Sequence, residues 1–123
     1  MTNEELIHEF FRRFDAEDVD GLLELFTDDC SFSTILNDRD SRGKAELGDL
    51  FRRQLGKWSE HREWATSVIV ERDVAGSEVH FEGVSTDGRK VVMDSLNVWD
   101  FAGGRIRRIR VYADTAPIVA AFA

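Results

Sequence analysis

The sequence has only one cysteine, Cys30, so no disulfide can form within the chain. No apolar run approaches the roughly 20 residues of a membrane-spanning helix. The opening residues, MTNEELIHEF, lack the basic segment and the apolar run of a signal peptide. Basic residues are outnumbered, since 16 Lys and Arg face 24 Asp and Glu, and the net charge is −8. We therefore expect a cytoplasmic protein that binds neither nucleic acid nor a membrane.

Motifs for metals and phosphate groups are also missing. The histidines His8, His61 and His80 lack the spacing of a metal-binding motif. Each glycine fits a turn or a helix boundary, so no glycine-rich phosphate loop is present. We expect no metal and no cofactor. We interpret His61, in the segment SEHREW, as a surface-loop residue, with a place at the rim of a pocket as the alternative.

The 123 residues, with nine Phe and three Trp, are enough for one domain with one hydrophobic core, spanning 1–123. Thr2 and Glu5 fit a capping box and start the first predicted helix, and Asp18 fits the cap of a short second one. A third predicted helix runs from about Lys44, with an apolar stripe that ends at Trp58. A short β-prone piece, CSFST, lies between the second and third helices.

The second half of the chain has the pattern of β-strands. Four β-prone segments follow Trp58: WATSVIVERD, SEVHFEGVS, RKVVMDSLNVWDF and RIRRIRVYAD. Ala75-Gly76, Asp87-Gly88 and Gly103-Gly104 separate them as predicted hairpin turns. Short connections of this kind give antiparallel neighbours. We expect an α+β fold in which three N-terminal helices pack on a curved, mainly antiparallel sheet and form a cone with a cavity.

The strand Val91–Phe101 indicates which side chains face that cavity. Its bulkier face carries Met93 and Trp99, but also Ser95 and Asn97. A buried polar group without a partner costs about 1–3 kcal/mol, so a solid core disfavours such residues and a pocket accommodates them. This face therefore predicts a mostly apolar cavity with a few neutral hydrogen-bonding groups. That composition argues for a neutral, hydrophobic ligand.

The order of these segments resembles the nuclear transport factor 2-like superfamily, in its SnoaL-like and ketosteroid-isomerase-like branch. The segments that carry the resemblance are FFRRFDAEDVDGLLELFTDDCSF, GKAELGDLFRRQL and VWDFAGGRIRRIRVYAD. The resemblance implies a cystatin-like α+β cone. It implies no single activity, because this fold hosts isomerases, epoxide hydrolases, dehydratases, cyclases and non-catalytic domains.

The catalytic residues of the ketosteroid isomerases match this chain poorly. Their general-base Asp corresponds to Thr34, and their oxyanion-binding Tyr corresponds to Phe10. Their second oxyanion donor, a protonated Asp, corresponds to Asn97 if one residue is deleted in the Gly103-Gly104 turn. Asn97 can still donate a hydrogen bond. Isomerisation by that mechanism is therefore not expected.

The other catalytic sets of the superfamily are not present either. The Arg and two Asp of limonene-epoxide-hydrolase-like enzymes correspond to Gly83, Ser85 and Val111. The His and Asp of the SnoaL-type cyclases fall near Asn97 and Val111. The predicted function is binding of a small hydrophobic molecule. The alternative is a cofactor-independent isomerase, cyclase, dehydratase or epoxide hydrolase acting on a polyketide, terpenoid or steroid-like substrate.

The candidate site residues follow from the predicted cone. The ligand-binding set is Phe10, Phe32, Thr34, Met93, Ser95, Asn97, Trp99 and Val111. Asp114 and Asn97 are the candidate catalytic residues. Asp114 follows the last strand, where desolvation could make it an acid or base. The alternative, which we favour, is that Asp114 caps the segment DTAP. Asn97 is equally well explained as a buried amide satisfied by the backbone.

The outer face of the sheet predicts a protein interface. Apolar residues alternate there with residues of opposite charge: Val92, Leu96, Val98, Arg108, Arg110 and Tyr112, beside Asp94 and Asp100. A half-apolar surface with both charges is typical of a dimer interface. The alternative is cross-strand ion pairing on a solvated sheet, worth about 0.2–1 kcal/mol per pair. Because relatives of this fold commonly pair through this face, we expect a homodimer.

Overall fold

The secondary structure begins at the first helix start that the sequence predicts. In the computed structural model, which describes residues 1–122, the Thr2 hydroxyl accepts the Glu5 backbone N–H at 3.1 Å. The Glu5 carboxylate in turn accepts the Thr2 N–H at 3.0 Å, which completes the capping box. The elements of residues 1–122 are, in order, α1 (Asn3–Asp15), α2 (Val19–Leu23), β1 (Phe26–Thr34), β2 (Ser41–Arg42), α3 (Gly43–Leu55), β3 (Trp58–Glu71), β4 (Val74–Ser85), β5 (Lys90–Ala102), β6 (Arg105–Ala113) and α4 (Ala116–Phe122).

The strands form one sheet in the order β2-β1-β6-β5-β4-β3. Strands β3 to β6 make the predicted antiparallel meander. Strand β1 adds to β6 in parallel, with Thr34 opposite Val111. This pairing joins the two halves of the chain, since β1 belongs to the helical half. The α+β fold with a curved, mainly antiparallel sheet is confirmed.

Several boundaries differ from the sequence prediction. Helix α3 ends at Leu55 rather than at Trp58, and β1 begins at Phe26, ahead of the predicted segment CSFST. Strand β3 begins at Trp58 rather than at Trp64, so it includes the segment that we expected to be a loop. The β3–β4 turn lies at residues 72–73 rather than at Ala75-Gly76, and Arg72 adopts a positive φ of 54° there. Ala75 is instead buried inside β4, opposite Trp99. Ala75-Gly76 resembles a turn signal in sequence, but the burial of Ala75 depends on the pairing of β4 with β5, which no local pattern shows.

The inner and outer faces of β5 are those predicted from its alternation. Asn97, Trp99 and Phe101 are buried on the inner face, whereas Val92 and Leu96 are exposed on the outer face. Leu96 lies opposite Tyr112 on β6, and Asp100 lies opposite Arg108. Arg110 and Asp100 form an ion pair at 3.4 Å. The predicted register of the two outer rows is therefore correct.

Helices α1 and α3 cover the inner face. The buried stripe of α1 consists of Leu6, Ile7, Phe10, Phe11 and Phe14. The C-terminal segment folds as α4, which packs on Phe81 and Val91 at one end of the sheet. Between these helices the inner face is not filled. No helix within residues 1–122 is long and apolar enough to cross a membrane.

Candidate functional site

A cavity of about 140 Å³ lies on the inner face of the sheet, between the helices that cover it. Aromatic side chains contribute to its wall, among them Phe14 from α1, Trp58 from β3, Phe81 from β4 and Phe122 from α4. Its other wall residues are Phe10, Phe32, Thr34, Leu36, Gln54, Lys57, Glu63, Met93, Ser95, Asn97, Val111 and Ile118. The wall is therefore mostly apolar, with a few polar groups pointing at one space.

The structure brings most of the sequence-predicted ligand-binding residues together on this wall. They are Phe10, Phe32, Thr34, Met93, Ser95, Asn97 and Val111. They meet because β1 pairs with β6 and β6 pairs with β5, so inward positions on three strands adjoin. Thr34, Val111 and Asn97 form one row across those strands.

Trp99 is the exception, and its assignment to the ligand-binding set is wrong. The residue is 0% exposed and lies in the core rather than on the cavity wall. Its indole N–H donates to the Ser77 hydroxyl at 2.9 Å. Its ring packs edge-on against Phe10 and Phe11, with centroids 5.4 and 5.9 Å apart. Helix α1 covers this part of β5, so a side chain that points inward here packs in the core.

Asn97 keeps hydrogen-bonding capacity for the cavity. The Ser95 hydroxyl donates to Asn97 Oδ1 at 3.2 Å. The amide nitrogen Nδ2 makes no hydrogen bond to another of residues 1–122 in the structure. Its two N–H donors are therefore available to a molecule in the cavity. The alternative of an amide satisfied by the backbone has no support in the contacts of Asn97.

Glu63 is a wall residue that the sequence analysis did not identify. It lies on β3 opposite Phe81, on the inner face, and its backbone N–H donates to both Asp15 carboxylate oxygens at 3.1 and 3.2 Å. Its carboxyl makes no hydrogen bond to another of the described residues. Burial, and secondarily the negative charge of Asp15, raises the pKa of Glu63 to about 8. At neutral pH the protonated, uncharged form therefore predominates.

The wall thus contains ionisable groups that we did not expect. Besides Glu63, Lys57 contributes, and its ammonium lies 5.6 Å from the centroid of the Phe122 ring. Lys57 is exposed, so its charge is hydrated and placed at the edge of the cavity. A protonated Glu63 adds a hydrogen-bond donor without adding a charge. Near pH 7, Lys57 at the edge is therefore the charged group among the described wall residues.

His61 is not a surface-loop residue, and that interpretation is wrong. It lies on β3 facing inward, and its side chain is only 5% exposed. Its Nε2 lies 3.0 Å from Glu17 Oε1, and its Nδ1 lies 3.5 Å from Asp15 Oδ1. The ring packs edge-on against Phe14, whose own ring contributes to the cavity wall. His61 therefore supports the wall from behind.

Asp114 lies outside the cavity wall. It is exposed, and its carboxylate accepts the backbone N–H of Ala116 at 3.1 Å at the start of α4. This is the contact of a capping residue. Among residues 1–122, no group of three or more His, Cys, Asp or Glu side chains is arranged to hold a metal ion.

The signal for Glu63 was present in the sequence but depended on the start of β3. With a strand from Trp58, His61 and Glu63 alternate onto one face. With a strand from Trp64, both fall in a loop. The alternation alone indicates only the side of the sheet on which Glu63 lies. It does not indicate the contact with Asp15, because Asp15 comes from α1, far away in sequence.

Comparison with known proteins places this chain in a family. A model of the SnoaL-like domain matches residues 7–109. Among curated proteins, no sequence matches this chain. The match confirms the resemblance that the order of segments indicated.

Solved structures share the fold at low sequence identity. An NTF2-like protein of unknown function from Burkholderia pseudomallei K96243 has a TM-score of 0.88 and 19% identity, covering 98% of this chain and 97% of its own. A protein named as a SnoaL-like polyketide cyclase from Jannaschia sp. CCS1 has a TM-score of 0.85 and 18% identity, with 97% and 90% covered. A protein with a ketosteroid-isomerase-like fold from Catenulispora acidiphila, in complex with trimethylamine, has a TM-score of 0.88 and 13% identity, with 98% and 93% covered.

Proposed function

Because the chain belongs to the SnoaL-like domain family, we propose that it binds a small, mostly apolar organic molecule in the cavity on the inner face of its sheet. The observation that carries this proposal is the composition of the wall. Five of its residues are phenylalanines and one is a tryptophan, while Ser95, Asn97 and Glu63 supply polar groups. Concave, mostly apolar sites with a few convergent polar groups are typical of small-molecule binding.

The size of the cavity limits the ligand. Its volume is about 140 Å³, and a dry cavity of about 150 Å³ in another protein holds benzene. A molecule with a single six-membered ring therefore fits. A polycyclic polyketide or steroid would have to extend beyond the wall residues or move α4.

Native mass spectrometry of the purified protein tests this proposal. We expect a retained small molecule, or uptake of an added single-ring compound, in the wild type. Val111→Trp should abolish it because an indole at this wall position occupies the cavity. Val70→Trp is the matched control, since Val70 is exposed on β3 away from the wall. Equal binding by both variants would place the ligand elsewhere, and no binding by any of the three proteins would contradict the proposal.

A second candidate function is cofactor-independent catalysis on a polyketide, terpenoid or steroid-like substrate. The observation that favours it is Glu63, because a carboxyl with a raised pKa facing a cavity is a common feature of acid–base sites. The polyketide-cyclase name of the Jannaschia protein is in line with it. Asn97, with free amide donors, is the group that could stabilise a developing negative charge. Turnover that Glu63→Gln removes would favour this function over binding alone.

We also propose that two copies associate through the outer face of the sheet. Val92, Leu96 and Tyr112 are 58%, 47% and 48% exposed on adjacent rows of β5 and β6. Asp94 and Asp100 lie on the same face as Arg108 and Arg110, so a two-fold arrangement can bring opposite charges together. We further propose a cytoplasmic location, which fractionation of the source cells tests.

A further inference from the structure

Glu63 is a polar wall residue whose backbone is held on both sides by neighbouring elements. Its backbone is held by Asp15 at the C-terminal end of α1, and its strand neighbour on β4 is Phe81. The side chain therefore enters the cavity from a rigid strand, between aromatic wall residues. The Asp15 contact fixes the Glu63 backbone, and the Glu63 side chain contributes to the cavity wall.

No positive charge in the described residues compensates this carboxyl. From α1 it faces Asp15, which is of like charge and accepts the Glu63 N–H. On its own strand the inward neighbour is His61, which contacts Asp15 and Glu17 instead. Lys57, the basic residue of the wall, lies over the Phe122 ring.

The remaining wall provides no ionisable partner either. From β4 and β5 the cavity receives Phe81, Met93, Ser95 and Asn97, and from α4 it receives Ile118 and Phe122. A carboxylate in such a setting would be unpaired, whereas a protonated carboxyl requires only one acceptor for its O–H. Within residues 1–122 no acceptor takes that hydrogen. A ligand can supply it.

We infer that Glu63, in its protonated form, is the polar anchor of the cavity and donates a hydrogen bond to an acceptor oxygen of a neutral, single-ring ligand such as an aryl ketone. This inference rests on the proposed binding function and specifies its ligand class. Binding is then coupled to proton uptake, because deprotonation removes the donor and leaves a carboxylate facing the ligand oxygen. The raised pKa of Glu63, about 8, places this change just above neutrality.

Two probes of similar shape distinguish the hydrogen bond of Glu63 from the apolar contacts of the cavity as contributions to binding. Acetophenone has a ketone oxygen, and α-methylstyrene has a methylene group in its place. Both are titrated into the wild-type protein between pH 6 and pH 9.5, with binding followed by backbone amide chemical shifts. Glu63→Gln keeps an N–H donor but cannot titrate. Glu60→Gln, an exposed position on the same strand, is the matched control.

We expect both probes to bind at pH 6, with acetophenone several-fold tighter. Its dissociation constant should rise with pH, by up to about thirtyfold at pH 9.5 if only the protonated form binds, because about 3% of the protein remains protonated there when the pKa is about 8. Binding of α-methylstyrene should change little. Glu63→Gln should keep the preference for acetophenone and lose its pH dependence, and Glu60→Gln should behave as the wild type.

The outcomes distinguish the two proposals. If α-methylstyrene binds but acetophenone shows no preference or no pH dependence, the anchor role of Glu63 is wrong and the binding function stands. A pH dependence that persists in Glu63→Gln also overturns the anchor role. Benzylamine tests the opposite chemistry: tighter binding than acetophenone, increasing from pH 6 to 8.5, would mean that Glu63 receives a cation as a carboxylate. If no probe binds, both proposals fail.

Discussion

The side chain of Asp15 holds the backbone of Glu63: both Asp15 carboxylate oxygens accept the Glu63 N–H, at 3.1 and 3.2 Å. The contact ties the end of α1 to β3 at the residue whose carboxyl faces the cavity. It also places a second carboxylate near the first. Burial of Glu63 and the negative charge of Asp15 therefore both raise the pKa of Glu63 and favour its protonated form.

Replacing Asp15 should lower the pKa of Glu63. In Asp15→Asn the like charge disappears while one amide oxygen can still accept the Glu63 N–H. The pKa should move from about 8 toward the ordinary range without reaching it, because burial is the larger cause. Carbon-13 NMR titration of the Glu63 carboxyl measures this. Glu17→Gln is the control, since Glu17 contacts His61 and does not contribute to the pKa of Glu63. An unchanged pKa in Asp15→Asn would contradict the assigned cause.

The stability of the protein should fall as pH rises from about 4.5 to about 8. In this window the unfolded chain has lost the Glu63 proton, while the folded protein retains it, because its pKa is raised to about 8. Unfolding then releases a proton, so the free energy of unfolding decreases by at most about 1.4 kcal/mol per pH unit from this residue. Below about pH 4.5 the contribution of Glu63 to stability is fully present, and above about pH 8 this contribution is lost.

Chemical denaturation across this pH range, with wild type and Glu63→Gln compared, isolates the effect of Glu63. The variant cannot titrate, so its stability should exceed that of the wild type increasingly toward pH 8. Glu60→Gln again serves as the control. Parallel pH profiles for the wild type and Glu63→Gln would show that Glu63 ionises normally in the folded protein.

A side chain at Gly83 should destabilise the protein, because the Phe81 and Trp58 rings of the cavity wall lie against this position. A Cβ atom there would meet the Phe81 and Trp58 rings at 2.8 Å, closer than real contacts allow. We expect Gly83→Ala to cost about 1–3 kcal/mol by displacing these rings, and to weaken binding of a single-ring ligand. Gly76→Ala on the same strand has no atom within 4 Å of its Cβ and should be close to neutral. Equal unfolding free energies for the two variants, from urea denaturation, would argue against the close packing.

Leu96→Arg should convert the proposed dimer into monomers. Leu96 lies opposite Tyr112 in the middle of the outer face, so an isologous interface would bring two introduced arginines near the two-fold axis. Sedimentation velocity at micromolar concentration measures the change. Ile69→Arg, at a site 77% exposed toward the far end of β3, should leave the association intact. A wild-type monomer would refute the interface.

The sequence by itself determined the local elements and their directions. The capping box at Thr2 and Glu5, the hairpin turns at residues 87–88 and 103–104 and the alternation of β5 each depend on neighbours in sequence. Their energetics are local, and they appear in the structure where they were predicted. The faces of β5 followed, because a strand's side-chain period of two fixes which side each residue takes.

Only the tertiary structure decided what covers each face. Asn97 and Trp99 share a face of β5, yet the first lies on the cavity wall and the second in the core, since α1 covers one and not the other. Glu63 and Asp15 are 48 residues apart in sequence, and their effect on each other acts through space. Burial and electrostatic coupling depend on distances between elements, which no local pattern encodes.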